Sequence, residues 1–171
     1  MALPKKHNNP LALIQPVPSN WQGLQGSTAS GFLIFQTPVW GVRAGFINLV
    51  NTYLNKGRNT IEKIFPVYAP KGHGGNDPEA YIKRVVSLTG IARNEVVSTR
   101  EQLKKIGWAI HIVEEGRAWL SVNDFNSGFD LAMQAKPWSV PNVTPVKQAG
   151  QGLGGLLAMG VGLFFLIKIV K

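Results

Sequence analysis

Apolar residues recur along most of this chain at helical spacing, and one short apolar run stands apart from that pattern. Residues 31–36 (GFLIFQ) are almost entirely apolar over the length of a strand, which predicts a β-strand. The amphipathic segments that follow predict four helices, and a shorter helix is predicted after Asn123. The four helices are expected near residues 38–55, 61–69, 78–89 and 99–115.

Capping residues support these boundaries. Thr37 precedes a proline at the first helical position, and Asp77 repeats that arrangement. Ser98 and Glu101 fit a capping box, and Gly116 follows the end of the same helix. The first ~30 residues are rich in Asn, Pro, Gly and Ser and predict ordered loop. The predicted fold class is therefore α+β, mostly helical, with a small β element.

The last segment is the most apolar stretch of the chain. Residues 149–167 (AGQGLGGLLAMGVGLFFLI) carry no charge, and about 19 residues at 1.5 Å each span roughly 28 Å, close to the thickness of a bilayer core. We predict one C-terminal transmembrane helix over residues 149–171, joined by a Pro-rich linker (135–148) to a head domain (1–134). A lipid membrane is then a predicted partner. Lysines on both sides of the span leave its orientation open.

Small residues recur every four positions in this segment, at Gly150, Gly154, Ala158 and Gly162. On a helix they form one flat stripe, which predicts self-association or close packing against another membrane protein. The alternative is that Gly and Ala are simply common in membrane helices.

The composition of the chain says more about its binding partners than about any catalytic chemistry. The chain has 18 basic and 9 acidic residues, a net charge of +9, which favours anionic polymers such as lipid headgroups, nucleic acid or the bacterial cell wall. The basic residues are scattered, and no motif interleaves them with aromatic residues, so we expect no specific nucleic-acid partner. The absence of cysteine excludes disulfides and thiol chemistry.

Glu114 is a carboxylate on an apolar helix face. At about 100° per residue, Leu103, Ile106 and Ile110 share one stripe of the fourth predicted helix, and Glu114 falls inside it. Glu115 falls off the stripe, near Lys104 and His111, and we interpret it as solvated or ion-paired.

Two effects are expected to raise the pKa of Glu114. Partial burial disfavours its charged form, and the C-terminal end of a helix disfavours a carboxylate further. A raised pKa is what a general acid needs near neutral pH. The alternative is that Glu114 only borders the core and turns outward.

Six blocks of sequence between His7 and Gly116 resemble a known family. They are HNNPLAL (7–13), NWQGL (20–24), GFLIFQTPVWGVRA (31–44), NTIEKIFPVYAP (59–70), NDPEAYI (76–82) and IHIVEEG (110–116). In this order they resemble phage and prophage virion proteins with a lysozyme-like domain that degrades the cell wall, in which a GFxxFxSPxxGIRA block and a late HENG are typical. With the apolar tail, the chain also resembles membrane proteins of icosahedral phages with an internal lipid layer, the corticoviruses among them.

The resemblance implies a lysozyme-like fold and a set of site residues. Glu114 falls on the glutamate of HENG, which implies the catalytic acid, and the helical wheel singles out the same residue. Substrate-binding positions implied by the other blocks are Asn8, Asn9, Phe32, Tyr68, Asn76 and Tyr81. Leu11 and Ala12 replace the Gly-Asn of the family's NPGN turn, and Val113 and Glu115 replace the His and Asn of HENG. These departures leave room for a head that keeps the fold without the activity.

The function implied is a peptidoglycan-degrading enzyme of the virion. A muramidase normally needs a second carboxylate. Glu115, Asp77 and Glu79 are the candidates, although the last two have an ordinary explanation as helix-capping residues. A lytic transglycosylase needs one acid only, because the muramic 6-hydroxyl attacks in place of water.

Rival interpretations stay open at this point. The chain is either an enzyme or an inactive structural membrane protein of a lipid-containing virion, linking the membrane to capsid proteins. The expected location is the virion membrane, or alternatively the bacterial inner membrane for a cellular wall hydrolase.

Other chemistry has little support in the sequence. His7, His73 and His111 lack metal-ligand spacing, and we interpret each as a surface or capping residue. We expect no metal. We expect no cofactor either, since the glycines near residue 74 lack the following Lys-Ser/Thr of a P-loop.

Overall fold

The computed structural model describes residues 3–15, 21–72, 74–136 and 138. Within these residues lie six α-helices and one two-stranded sheet. They are α1 (Leu3–Lys6), β1 (Leu24–Ser27), β2 (Leu33–Phe35), α2 (Pro38–Asn48), α3 (Ile61–Tyr68), α4 (Pro78–Thr89), α5 (Arg100–Glu115) and α6 (Val122–Ala135). The prediction of a mostly helical domain with a small β element agrees with this arrangement.

Residues 3–15 contain a short helix and run beside the sheet, instead of forming loop alone. β1 and β2 pair antiparallel with a bulge between Leu24 and Gly26. On the other edge of β2, the Leu33 N–H donates to the Leu13 carbonyl at 3.0 Å, and Ile14 forms an isolated bridge with Phe32. The expectation of loop therefore missed α1 and β1, because neither carries an apolar pattern of its own.

The predicted helix from Thr37 to Asn55 is confirmed in extent but changes its winding. After α2 the chain continues through one π-helical turn (Leu49–Tyr53) and one 3₁₀ turn (Leu54–Lys56) before Gly57 ends it with φ +75°. Leu49, Val50, Tyr53 and Leu54 are all buried. All four side chains belong to the main core, so the change of winding does not turn this segment away from it.

The caps follow the sequence signals closely. Asp77 accepts from the backbone N–H groups of Glu79 and Ala80, and Gly90 ends α4 in the left-handed conformation. The capping box of α5 is formed by Thr99 and Gln102, one residue later than predicted from Ser98 and Glu101. The last helix begins at Val122 with Ser121 as its cap, and it is longer than expected.

The main core lies where α2, α4, α5 and α6 meet. α2 packs most extensively on α6, and α5 packs on α4. Gly107 of α5 lets the Phe46 ring approach, since an added Cβ there would come within 2.4 Å of the ring. A smaller cluster of Leu13, Leu33, Phe35 and Ala44 joins the sheet to α2.

The predicted fold class, a lysozyme-like head with one transmembrane helix, is corrected to a mostly helical domain with a two-stranded sheet. Among the described residues, no helix is long and apolar enough to cross a membrane. The longest of them, α5, has 16 residues, whereas a span needs about 20 predominantly apolar ones. The segment 149–171, with its small-residue stripe, lies outside the described residues, as does the predicted linker (135–148) except for residues 135, 136 and 138.

Candidate functional site

Glu114 lies in the last turn of α5 and contacts a tyrosine of α4. The Tyr81 hydroxyl donates to Glu114 Oε1 at 2.8 Å. Tyr81 is buried because it shares the inward face of α4 with Ile82 and Val85, so its hydroxyl is held at a fixed place. The helical wheel expected Glu114 to be partly buried, and the side chain is half-buried in the structure.

Burial is the main electrostatic influence on Glu114. Loss of solvent raises its pKa above the ordinary value of 4.5, and the negative charge of Glu115 raises it further. The hydrogen bond from Tyr81 acts in the opposite direction, because it stabilises the carboxylate. The net effect is a raised pKa, in the direction that the sequence predicted.

Tyr81 belongs to an aromatic cluster that also contains Tyr53, Phe65 and Tyr68. The rings of Phe65 and Tyr81 stack with centroids 4.7 Å apart, and Tyr68 lies 6.1 Å from Tyr81. Burial and the charge of Glu114 hold the pKa of both the Tyr68 and the Tyr81 hydroxyls well above 10.0, so both are protonated donors at neutral pH. The cluster therefore places one buried hydroxyl donor, that of Tyr81, against a partly desolvated acid.

Tyr68 connects the cluster to the N-terminal turn at residues 8–12. Its hydroxyl donates to the carbonyl of Leu11, a residue that is fully buried. The turn lies directly on α2: a Cβ added to Gly41 would come within 1.9 Å of the Asn8 carbonyl, and one added to Gly45 within 2.6 Å of Leu11. Gly41 and Gly45 therefore allow the turn to pack directly against α2, because neither has a side chain in the way.

The two asparagines of the turn bind the backbone. The Asn9 side chain is fully buried; its Nδ2 donates to the Leu13 and Leu33 carbonyls at 2.8 and 3.1 Å, and its Oδ1 accepts from the Leu13 N–H at 2.8 Å. Asn8 donates to the Phe35 carbonyl at 3.0 Å and has φ +53°. Both side chains have a structural role in the turn, and substrate binding by either one stays a prediction.

The departures from the family's turn have different consequences. Leu11, at the family's glycine position, does not have a positive φ, so the loss of Gly causes no backbone strain there. Ala12, at the family's asparagine position, has φ +46°. An alanine in this region costs roughly 1–2 kcal/mol, which Gly or Asn largely avoids.

The three candidate second carboxylates are all engaged in structural contacts. Asp77 caps α4, as the sequence analysis preferred. Glu79 and Arg93 form a two-pronged ion pair at 3.1 and 3.0 Å, which lowers the pKa of Glu79. Glu115 accepts a hydrogen bond from the backbone N–H of Lys5 at the end of α1.

Two predicted binding residues lie outside this group of contacts. Phe32 is half-buried where the chain enters β2 and pairs with Ile14. Asn76 precedes the cap of α4, and its carbonyl accepts from the Gly72 N–H at 3.3 Å. The structure therefore brings together Glu114, Glu115, Tyr81, Tyr68 and the turn, and ties the remaining candidates to other elements.

No group of three or more His, Asp or Glu residues within the described part of the chain could hold a metal ion.

The comparisons with known proteins point to a bacteriophage. No family model matches the chain. Over 129 residues it is 32% identical to Protein P5 of Pseudoalteromonas phage PM2, an alignment that covers 73% of this chain and 78% of that protein. The chain belongs to the family of this phage protein. The prediction of a bacteriophage protein is confirmed at this level.

His111 is the buried residue that the sequence analysis misplaced. It was interpreted as a surface or capping residue, yet it is fully buried, and its Nε2 accepts from the backbone N–H groups of Trp119 and Leu120, each at 3.2 Å. The wheel drew one narrow stripe, whereas α5 is buried over a wider arc that includes Gly107 and Ala109. The glycine one turn before His111 was the available signal that this side of the helix is covered.

Proposed function

We propose that this member of the P5 family is a virion protein that degrades peptidoglycan, acting as a lytic transglycosylase with Glu114 as its acid. The observation that carries the proposal is the half-buried Glu114, whose pKa is raised by burial and whose Oε1 accepts a hydrogen bond from Tyr81. General acids in glycoside cleavage need this combination of desolvation and fixed orientation.

The chemistry assigned to Glu114 needs one carboxyl group. Since Oε1 accepts from Tyr81, the proton is expected on Oε2, from which it passes to the leaving glycosidic oxygen. The resulting carboxylate then removes the proton of the muramic 6-hydroxyl, which attacks the sugar's anomeric carbon and closes an anhydro ring. This route fits the residues better than a muramidase, because Asp77, Glu79 and Glu115 are held in other contacts.

The charge of the chain supports a polyanionic substrate. The net charge of +9 favours binding to the cell wall through long-range attraction, which salt would weaken. Peptidoglycan is therefore a proposed partner. Other virion proteins are also proposed as partners, because a relative of the chain is a phage protein.

Digestion of purified peptidoglycan by the full-length chain tests the proposal. We expect Glu114→Gln to lower the rate by at least about 100-fold, since Gln keeps the shape and the hydrogen bond from Tyr81 but has no proton to give. Mass spectrometry should detect 1,6-anhydro products. Glu115→Gln is the matched control, one residue away on the same helix, and should retain most of the activity.

Reducing ends instead of anhydro ends would favour the muramidase. A folded wild-type protein without activity would reject the enzyme and leave the second candidate, a structural protein of the virion. The observation that favours that candidate is the fully buried Leu11, which fills the turn beside Tyr68 with an apolar side chain.

A further inference from the structure

An apolar groove lies between α5 and α6, two turns of α5 away from Glu114. It encloses about 260 Å³. The α5 wall has Glu101, Lys104, Lys105 and Trp108, at positions i, i+3, i+4 and i+7, and the α6 wall has Val122, Phe125 and Asn126, at i, i+3 and i+4. Leu88, at the end of α4, closes one end.

The groove exposes side chains that a surface normally hides. Val122 is 60% exposed and Leu88 is 36% exposed, two of the four large apolar side chains that are exposed in the described part of the chain. The floor is aromatic, with the rings of Trp108 and Phe125 edge to face at 4.8 Å. Apolar residues gathered at one concave place are typical of a binding site rather than of scattered surface residues.

The rim of the groove has an excess of positive charge, with Lys104 and Lys105 against the single carboxylate of Glu101. Lys105 pairs with Glu101 at 3.1 Å, whereas the Lys104 ammonium lies 5.1 Å over the Phe129 ring. Within the described part of the chain, Lys104 forms no ion pair with a carboxylate. A ligand with negative charge beside an apolar group would therefore complement both the floor and the rim.

Charge also separates the possible occupants. A second copy of the chain carries the same net charge of +9, so long-range repulsion disfavours it as the occupant. The chain's own apolar segment, 149–171, contains only lysines as charged residues and does not complement the rim. The volume is below the roughly 300–1,000 Å³ of pockets for whole small molecules, and it suits one or two apolar side chains.

We propose that this groove docks an acidic amphipathic helix of a partner protein. Two helices flank an aromatic floor, so an amphipathic helix could place its apolar anchors on Trp108 and Phe125 and a carboxylate toward Lys104. The site shares no residue with the proposed acid and its tyrosine, so the two proposals fail independently.

A fluorescent peptide tests the docking. The probe is a helical 15-residue peptide with leucines at helical spacing on one face and glutamates on the other, titrated into the full-length chain by fluorescence anisotropy. We expect Val122→Asp to weaken binding about tenfold or more, because it places a charge on the apolar wall. The variant should fold, since Val122 is exposed and an acidic residue suits the first turn of α6. Val67→Asp, at a comparably exposed valine of α3, is the control and should bind as the wild type does.

Charge reversal gives the second arm. Lys104→Glu with Lys105→Glu should reverse the preference, so that a matched peptide with lysines in place of glutamates binds better. Failure of the acidic peptide to bind above a leucine-free control would overturn the proposal, and so would equal binding to Val122→Asp. Binding of phosphatidylglycerol vesicles that Val122→Asp abolishes, without peptide binding, would assign the groove to lipid instead.

Discussion

At the scale of single residues, the contact between Tyr81 and Glu114 sets the balance between acid and carboxylate. Burial raises the pKa of Glu114, and the hydroxyl of Tyr81 partly offsets that effect by donating to Oε1. The donor is itself buried and keeps its proton to high pH. Burial therefore keeps Glu114 protonated to a higher pH than an exposed glutamate, and the hydrogen bond from Tyr81 stabilises the carboxylate once the proton has left.

Tyr81→Phe removes the donor and leaves the ring. Because the hydrogen bond stabilises the carboxylate, we expect the pKa of Glu114 to rise further in this variant. The alkaline limb of the activity profile should then move to higher pH, and ¹³C NMR of the glutamate carboxyl should report the same shift without any substrate. Tyr53→Phe, in the same aromatic cluster, is the control. An unchanged titration of Glu114 in Tyr81→Phe would show that the bond does not act on the acid.

His111 makes the fold sensitive to acid. It is held as a neutral acceptor of two N–H groups, and burial lowers its pKa from 6.5 to about 4. The unfolded chain takes up the proton first as the pH falls, so this contribution to stability is complete above about pH 6.5 and is lost progressively down to about pH 4. At about 1.4 kcal/mol per pKa unit, the loss amounts to about 3 kcal/mol.

Urea denaturation at several pH values between 7 and 4 measures this loss. His111→Gln offers an acceptor near the position of Nε2 but does not titrate. We expect the variant to be less stable at pH 7 and to lose less stability than the wild type as the pH falls. An equal loss in both proteins would assign the acid sensitivity to other groups.

At the scale of elements, close packing between α2 and α6 depends on Gly128. A Cβ there would come within 2.5 Å of Val42 Cβ and 2.6 Å of the Val39 carbonyl oxygen. Alanine normally favours a helix over glycine by about 1 kcal/mol, but overpacking against a backbone atom costs about 1–3 kcal/mol. We expect Gly128→Ala to destabilise the fold by about 1–2 kcal/mol. Ser127→Ala, an exposed neighbour, should change stability by less than about 0.5 kcal/mol.

Thermal unfolding of the two variants decides this point. A Gly128→Ala protein that is as stable as Ser127→Ala would mean that α6 can move away from α2 at little cost.

Local signals in the sequence were enough for the helices but not for every contact between them. Asp77 and Gly116 mark helix ends through backbone requirements that act within a few residues, and these predictions held. The burial of Glu114 followed from the period of one helix. The partners of Glu114 and Glu115 are 33 and 110 residues away along the chain, and the second is a backbone N–H, which no side-chain pattern marks.

At the scale of the whole molecule, the N-terminal segment belongs to the fold although its sequence resembles loop. It runs beside β2, rests on Gly41 and Gly45 of α2, and contacts α5 through Lys5. The same residues that give it a polar, irregular composition are the ones that bind backbone groups of other elements. Burial of such a segment requires that its polar groups find partners. The Asn9 side chain makes three hydrogen bonds to the backbone, two with Leu13 and one with Leu33.

Asn9 therefore decides between a structural and a substrate-binding role for the turn. Asn9→Ala leaves the Leu13 N–H buried without its acceptor and removes both contacts of Nδ2, so we expect a loss of about 1–3 kcal/mol in the free energy of unfolding. Because the segment packs into both core clusters, through Leu11 and Leu13, unfolding should remain a single transition at lower temperature. Asn94→Ala, at an exposed asparagine, is the control.

At temperatures where the Asn9→Ala variant is folded, its affinity for peptidoglycan should equal that of the wild type, since Asn9 is fully buried. Wild-type stability together with weakened peptidoglycan binding would instead place Asn9 in the binding site.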